Sequence, residues 1–80
     1  MKTLGETIVR TDFNAGKSTY VDMLKHRFAQ LIDDVNVITP SVPEGGSLTP
    51  KGEAELARLK NEAIKHLEVA AMYAVKAQTL

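Results

Sequence analysis

The chain lacks cysteine and tryptophan altogether, and has only two phenylalanines, two tyrosines and three prolines in 80 residues. Without thiols it forms no disulfide and none of the common thiolate metal sites, a pattern that fits a reducing cytoplasm. It also lacks a surplus of charge, since ten basic residues balance ten acidic ones. A duplex nucleic acid is held by many neutralised phosphates, so a chain of zero net charge is not expected to bind one. A compact ligand with two or three phosphates needs only a local cluster of donors, on which net charge is silent. No stretch approaches the roughly 20 apolar residues that span a bilayer, and Met1 to Thr11 carries no apolar run of the signal-peptide kind. Neither membrane residence nor secretion is expected.

What is present is a single domain over residues 1–80, with 44% hydrophobic and 25% charged residues. A core of this size rarely supplies more than about 3–5 kcal/mol and is usually reinforced by disulfides, a metal or a partner chain. With the first excluded, association is the expected reinforcement.

The periodicity predicts an all-α protein with long helices over about 18–38 and 50–78. In the first, Val21, Leu24, Phe28, Leu31 and Val35 recur at spacings of three and four and mark one face. Ser18 or Thr19 is the expected N-cap, and Thr39-Pro40 the stop, because proline disfavours helical geometry in the residue before it. The segment TPSVPEGGSLTP then reads as a loop. The second helix opens with Thr49 as N-cap and Pro50 at its first position, and Glu53 and Glu55 complement the positive end of the dipole. Leu56, Leu59, Ala63, Leu67, Ala70, Ala74 and Ala77 mark one of its faces, with Ile64, Ala71 and Val75 on an adjoining one. Two such helices across a short loop make an antiparallel hairpin preceded by a short N-terminal segment. Residues 69–75, VAAMYAV, are seven consecutive residues without a charge and circle the helix almost twice. One partner helix covers a single stripe, so subunit packing into a symmetric homo-oligomer is expected.

The string Asn14-Ala15-Gly16-Lys17-Ser18-Thr19 ends like a P-loop, but Thr11 stands where the first glycine belongs and no parallel sheet has room to form. Nucleotide triphosphatase activity is therefore not expected. Gly16, Lys17 and the free N–H groups of a helix N-terminus still offer a site for a phosphodiester, against the plainer reading of a glycine turn with a good cap. Phe13 precedes that turn, where a ring either stacks a nucleobase or plugs the end of a hairpin. Lys25, His26 and Arg27 form a short basic run within a turn or two of Gly16. On the second helix Lys65, His66, Glu68, Lys76 and Thr79 interrupt the apolar tract. His26 and His66 have no metal-ligand partners at the right spacing, and no nucleophile, base and acid set reads as a triad. No catalytic residue, metal or cofactor is expected, so the chain reads as a binding module rather than an enzyme.

The segments TDFNAGKSTYVDMLKHRFAQLIDDVN and AIKHLEVAAMYAVKAQT resemble the two halves of the phage anti-CBASS cyclic-nucleotide sponge family. Its pattern F-N-x-x-G-x-x-x-V-D-x-I-K is met by Phe13, Asn14, Val21, Asp22 and Lys25. The second, H-L-E-x-A-x-M-x-A-V-K-A, is met by His66, Leu67, Glu68, Ala70, Met72, Ala74, Val75, Lys76 and Ala77. Gly16 lies one place early, and Leu24 replaces the isoleucine. The resemblance implies a helical hairpin that assembles as a homohexamer. It would sequester cyclic di- and trinucleotides of a bacterial antiviral system, without degrading them, in the host cell cytoplasm. It further implies a dinucleotide site between paired subunits at Phe13 and Lys25, with Asn14 nearby. Gly16 and Lys17 are expected at that site from the phosphodiester-binding character of the turn, not from the resemblance, in which Lys17 and Tyr20 are departures. A trinucleotide site on the second helix would use Lys65, His66 and Lys76. The competing reading is a hairpin adaptor that docks a host protein on the apolar surface of that helix.

Overall fold

The computed structural model describes residues 1–14, 16–41 and 46–80, and among these it is all-helical, with three helices and no strand. They are α1 (Leu4–Val9), α2 (Thr19–Asn36) and α3 (Pro50–Gln78). Of the segment read as a loop before α3, the described residues are non-helical up to Thr49; residues 42–45 lie outside the described residues, as does Ala15 of the glycine turn.

The two long helices begin where their caps dictate. The Ser18 side chain accepts from the Val21 N–H at 3.2 Å, and that of Thr49 accepts from the Gly52 N–H at 3.1 Å, with Pro50 next in the chain. α2 ends at Asn36, before Thr39 and Pro40: the Val37 N–H still bonds the Asp33 carbonyl at 3.2 Å, and the Ile38 N–H then tightens onto the Val35 carbonyl at 3.1 Å.

The N-terminal segment is more ordered than its mixed composition suggests. Thr3 and Glu6 form a capping box: the threonine hydroxyl accepts from the Glu6 N–H at 3.1 Å, and the glutamate accepts from the Thr3 N–H at 2.9 Å. Those bonds hold the Glu6 carboxyl below its usual pKa range. Six residues are far too few for an isolated helix to persist in water, so α1 depends on what it packs against. It lies back along α2, with Gly5 set directly on the Ala29 backbone.

α2 is thereby covered on two sides, which turns its buried stripe from the expected one. Val21, Lys25, Ala29 and Ile32 are the buried positions, whereas Leu31 is exposed. Leu24, Phe28 and Val35 are half-buried. Ile32, wholly inaccessible, joins Val9, Ala29 and Ala71 in the core, against which Ile8, Phe28, Ile64 and Leu67 pack. α3 likewise turns inward along Leu56, Ala63, Ile64, Leu67, Ala71, Ala74 and Val75, leaving Leu59, Ala70 and Ala77 outside. Lys60, whose ammonium donates to the Ile38 carbonyl at 3.3 Å, ties the early part of α3 to the end of α2.

This core is small for the chain. A compact folded monomer of 8.7 kDa exposes about 4,700 Å² and has a radius of gyration near 12 Å, against 6152 Å² and 15.6 Å here. The molecule is a rod of 51 × 23 × 16 Å that leaves Val69, Met72 and Tyr73 in solvent.

Candidate functional site

The start of α2 and the end of α1 converge on Phe13. Its ring is 65% exposed, yet it is held from below: the Lys25 ammonium lies 5.4 Å from the ring centroid. Lys25 itself is only 7% exposed, and its Nζ donates to the Arg10 carbonyl at 3.1 Å and to the Phe13 carbonyl. The lysine so satisfied closes the carbonyl end of α1, where the dipole favours a cation. Arg10 caps α1 in the left-handed region, at φ 55°, and this reverses the chain towards Phe13.

Asn14 is committed to the fold. Its Nδ2 donates to the Ser18 carbonyl at 2.7 Å and to Asp22 Oδ1 at 2.9 Å, and its Oδ1 accepts from the Ser18 N–H at 3.1 Å. It stitches the turn to α2 rather than standing free for a ligand. Gly16 and Lys17 are exposed in that turn; Lys17 has φ 53°, and its N–H bonds the Asn14 carbonyl at 3.0 Å. A side chain added at Gly16 would meet open space.

Two clefts flank this corner. The larger, of about 540 Å³, runs between α1 and the last turns of α3, with Ile8, Val9, Ala71, Met72 and Val75 as apolar wall, Arg10, Lys25 and Lys76 as cations, and the Glu68 carboxylate and Thr79 hydroxyl completing the lining. Lys25 and Lys76, far apart in sequence and assigned to different ligands, therefore line one cleft. The smaller, of about 340 Å³, is lined by Phe13 with Lys2, Glu6, Thr7, Arg10, Thr11 and Asp12. Arg10 belongs to both, and sequence reasoning missed it: its side chain gains its place only from the left-handed turn that ends α1. Lys65 and His66 lie on the exposed side of α3, away from either cleft. His66 Nε2 stands 3.8 Å from Glu62, an ion pair only when the imidazole is protonated.

No family model matches the chain. No curated protein and no solved structure matches it either.

The chemistry of the corner is thus read from its own groups. An exposed aromatic face braced by an ammonium, beside an exposed arginine that lines both clefts, suits a ligand that joins a flat ring to an anion. Among the described residues no three His, Cys, Asp or Glu side chains gather as a metal-binding set. No described helix is long and apolar enough to cross a membrane.

Proposed function

We propose that the chain is a binding protein that captures small cyclic nucleotides. The observation that carries this reading is Phe13, an aromatic ring two-thirds exposed and braced on the Lys25 ammonium beside Arg10. Cyclic di- and trinucleotides, which pair stacking bases with phosphodiesters, are the ligands it fits, and the anti-CBASS sponge resemblance supports the same class. Arg10 and Lys76 join Phe13 as ligand residues. Lys25 serves the dinucleotide chiefly by bracing the ring, since two of its donors are bonded within the chain. Lys65 and His66 belong to a trinucleotide site that a single chain does not complete.

In this reading an antiparallel hairpin of α2 and α3 assembles as a homohexamer in the host cell cytoplasm. There it withholds the messenger from its effector by stoichiometric binding, without turnover. Excess exposed surface and the solvent-facing Val69, Met72 and Tyr73 support assembly, because an apolar patch of that kind is ordinarily covered by a partner. Light scattering at micromolar concentration is expected to give a mass several times 8.7 kDa. A monodisperse monomer would contradict the interfacial sites.

Calorimetric titration with cyclic diadenylate and cyclic triadenylate tests the function directly. Saturable binding is expected, at a nanomolar Kd of about 12 kcal/mol for an effective sponge. The ligand should be recovered intact after heat denaturation of the protein. No heat with either ligand, together with capture of a host protein through α3, would favour the adaptor reading.

A further inference from the structure

Lys25, Ala29 and Asp33 follow one another at intervals of four on α2, and each touches a different part of α1. The Asp33 carboxylate accepts from the Gly5 N–H at 2.7 Å, one of the amides that α1 leaves without a partner in its first turn. Ala29 supports Gly5. The Lys25 ammonium takes the carbonyls of Arg10 and Phe13 at the far end. An anion therefore sits at the positive end of the α1 dipole and a cation at its negative end, both supplied by one stripe of the neighbouring helix. Along α2 the two charges are about 12 Å apart at 1.5 Å per residue, slightly more than the roughly 9 Å length of six-residue α1. The stripe brackets the short helix end to end.

Phe13 lies three residues past Arg10, the C-cap of α1, and its N–H bonds the Arg10 carbonyl at 2.9 Å, so the place of the ring is tied to the docking of that helix. We propose that Asp33 is a positioning residue for the Phe13 site. It clamps α1 from the end remote from the ring, and so holds Phe13 and Arg10 ready for the ligand. As a statement about ligand affinity this rests on the cyclic-nucleotide reading; as a statement about Phe13 it does not.

The sign of the effect separates positioning from electrostatics. An anion near a site for an anionic ligand repels it, so on charge alone Asp33→Ala and Asp33→Asn should both tighten binding to a similar degree. If Asp33 positions the ring, Asp33→Ala weakens cyclic diadenylate about tenfold, as expected for losing a charge-assisted hydrogen bond. Asp33→Asn, which keeps an acceptor for the Gly5 N–H, recovers most of that loss.

The experiment pairs amide hydrogen exchange on the ligand-free full chain with calorimetry on the same three proteins. In Asp33→Ala the Thr11 and Phe13 amides, bonded to Glu6 and Arg10, should exchange about tenfold faster while those of Ile32 and Ala71 stay protected. In Asp33→Asn they should return towards the parent rate. Unchanged Thr11 and Phe13 exchange in Asp33→Ala would overturn the proposal, and so would tighter binding by both variants. Should Asp33→Ala lose protection throughout, Asp33→Asn decides alone: Thr11 and Phe13 amides that exchange faster than the parent's but less than about tenfold faster, over a protected core, sustain it, and amides at the parent rate overturn it. If the parent protein binds no cyclic diadenylate, the functional reading fails, and exchange alone decides whether Asp33 sets the place of Phe13.

Discussion

Gly5→Ala should undock α1 from α2 and lower the thermal midpoint by roughly 5–15 °C, the shift expected for an overpacking cost of about 1–3 kcal/mol in a domain of this size. A methyl group at this position would lie 2.7 Å from the Ala29 carbonyl carbon and 2.8 Å from its Cα. Those are backbone atoms of a continuous helix, so no side-chain rotation relieves the overlap. The shorter helix must lift, and in lifting it loses the Asp33 and Lys25 contacts at its two ends. Intrinsic propensity points the other way: alanine exceeds glycine within a helix by about 1 kcal/mol. A free α1 would be strengthened by the same change, so the direction of the shift reports whether the helix is docked. Circular dichroism melts at matched protomer concentration, together with exchange of the Thr11 and Phe13 amides, check it. An unchanged or higher midpoint with those amides still protected would show that the close approach of Gly5 and Ala29 does not govern stability.

α1 is also where the sequence was least legible, and the reasons are local. Thr3-Leu4-Gly5-Glu6 carries the T-x-x-E spacing of a capping box, but the helix it opens has only six residues, too few for periodicity to register. Its second signal, Lys25-Ala29-Asp33, is a polar pattern within a helix whose apolar residues point to a different face. Leu24, Phe28 and Leu31 indicate one stripe correctly for a helix with a single neighbour. Once α1 covers a second side, Ala29 and Lys25 are buried and Leu31 is left out. The long helices were legible because Ser18 and Thr49 act through bonds within three residues of themselves, and Pro50 through its own fixed φ. Of the candidate site, Phe13 and Lys25 could be read as neighbours, being within a few turns of chain. That Lys76 shares a cleft with Lys25, and that Arg10 borders both clefts, depends on how the end of α3 returns past α1, which residue spacing does not encode.

Phe13→Ala should weaken cyclic diadenylate binding about 10- to 100-fold, the consequence of losing roughly 1–3 kcal/mol of stacking per base. It is the cleanest probe of the site because the ring contributes little to the fold. At 65% exposure it buries no large area, and its main intramolecular contact is the cation beneath it, worth about 0.5–1 kcal/mol where solvent reaches. Lys25→Ala is a poorer probe, since it also strips a bonded ammonium from the Arg10 and Phe13 carbonyls and loosens the end of α1. Phe13→Leu separates the two properties of the ring: it keeps apolar bulk but has no π face, and should bind nearly as weakly as Phe13→Ala. Phe13→Tyr retains the face and should stay within a few-fold of the parent. Calorimetry on the three variants, each first checked for unchanged mass by light scattering, makes the comparison. Equal affinity in the parent and Phe13→Ala, with assembly intact, would remove the exposed ring from the site. Retained affinity in Phe13→Leu alone would show that the ligand uses an apolar contact at this corner instead of a stacked base.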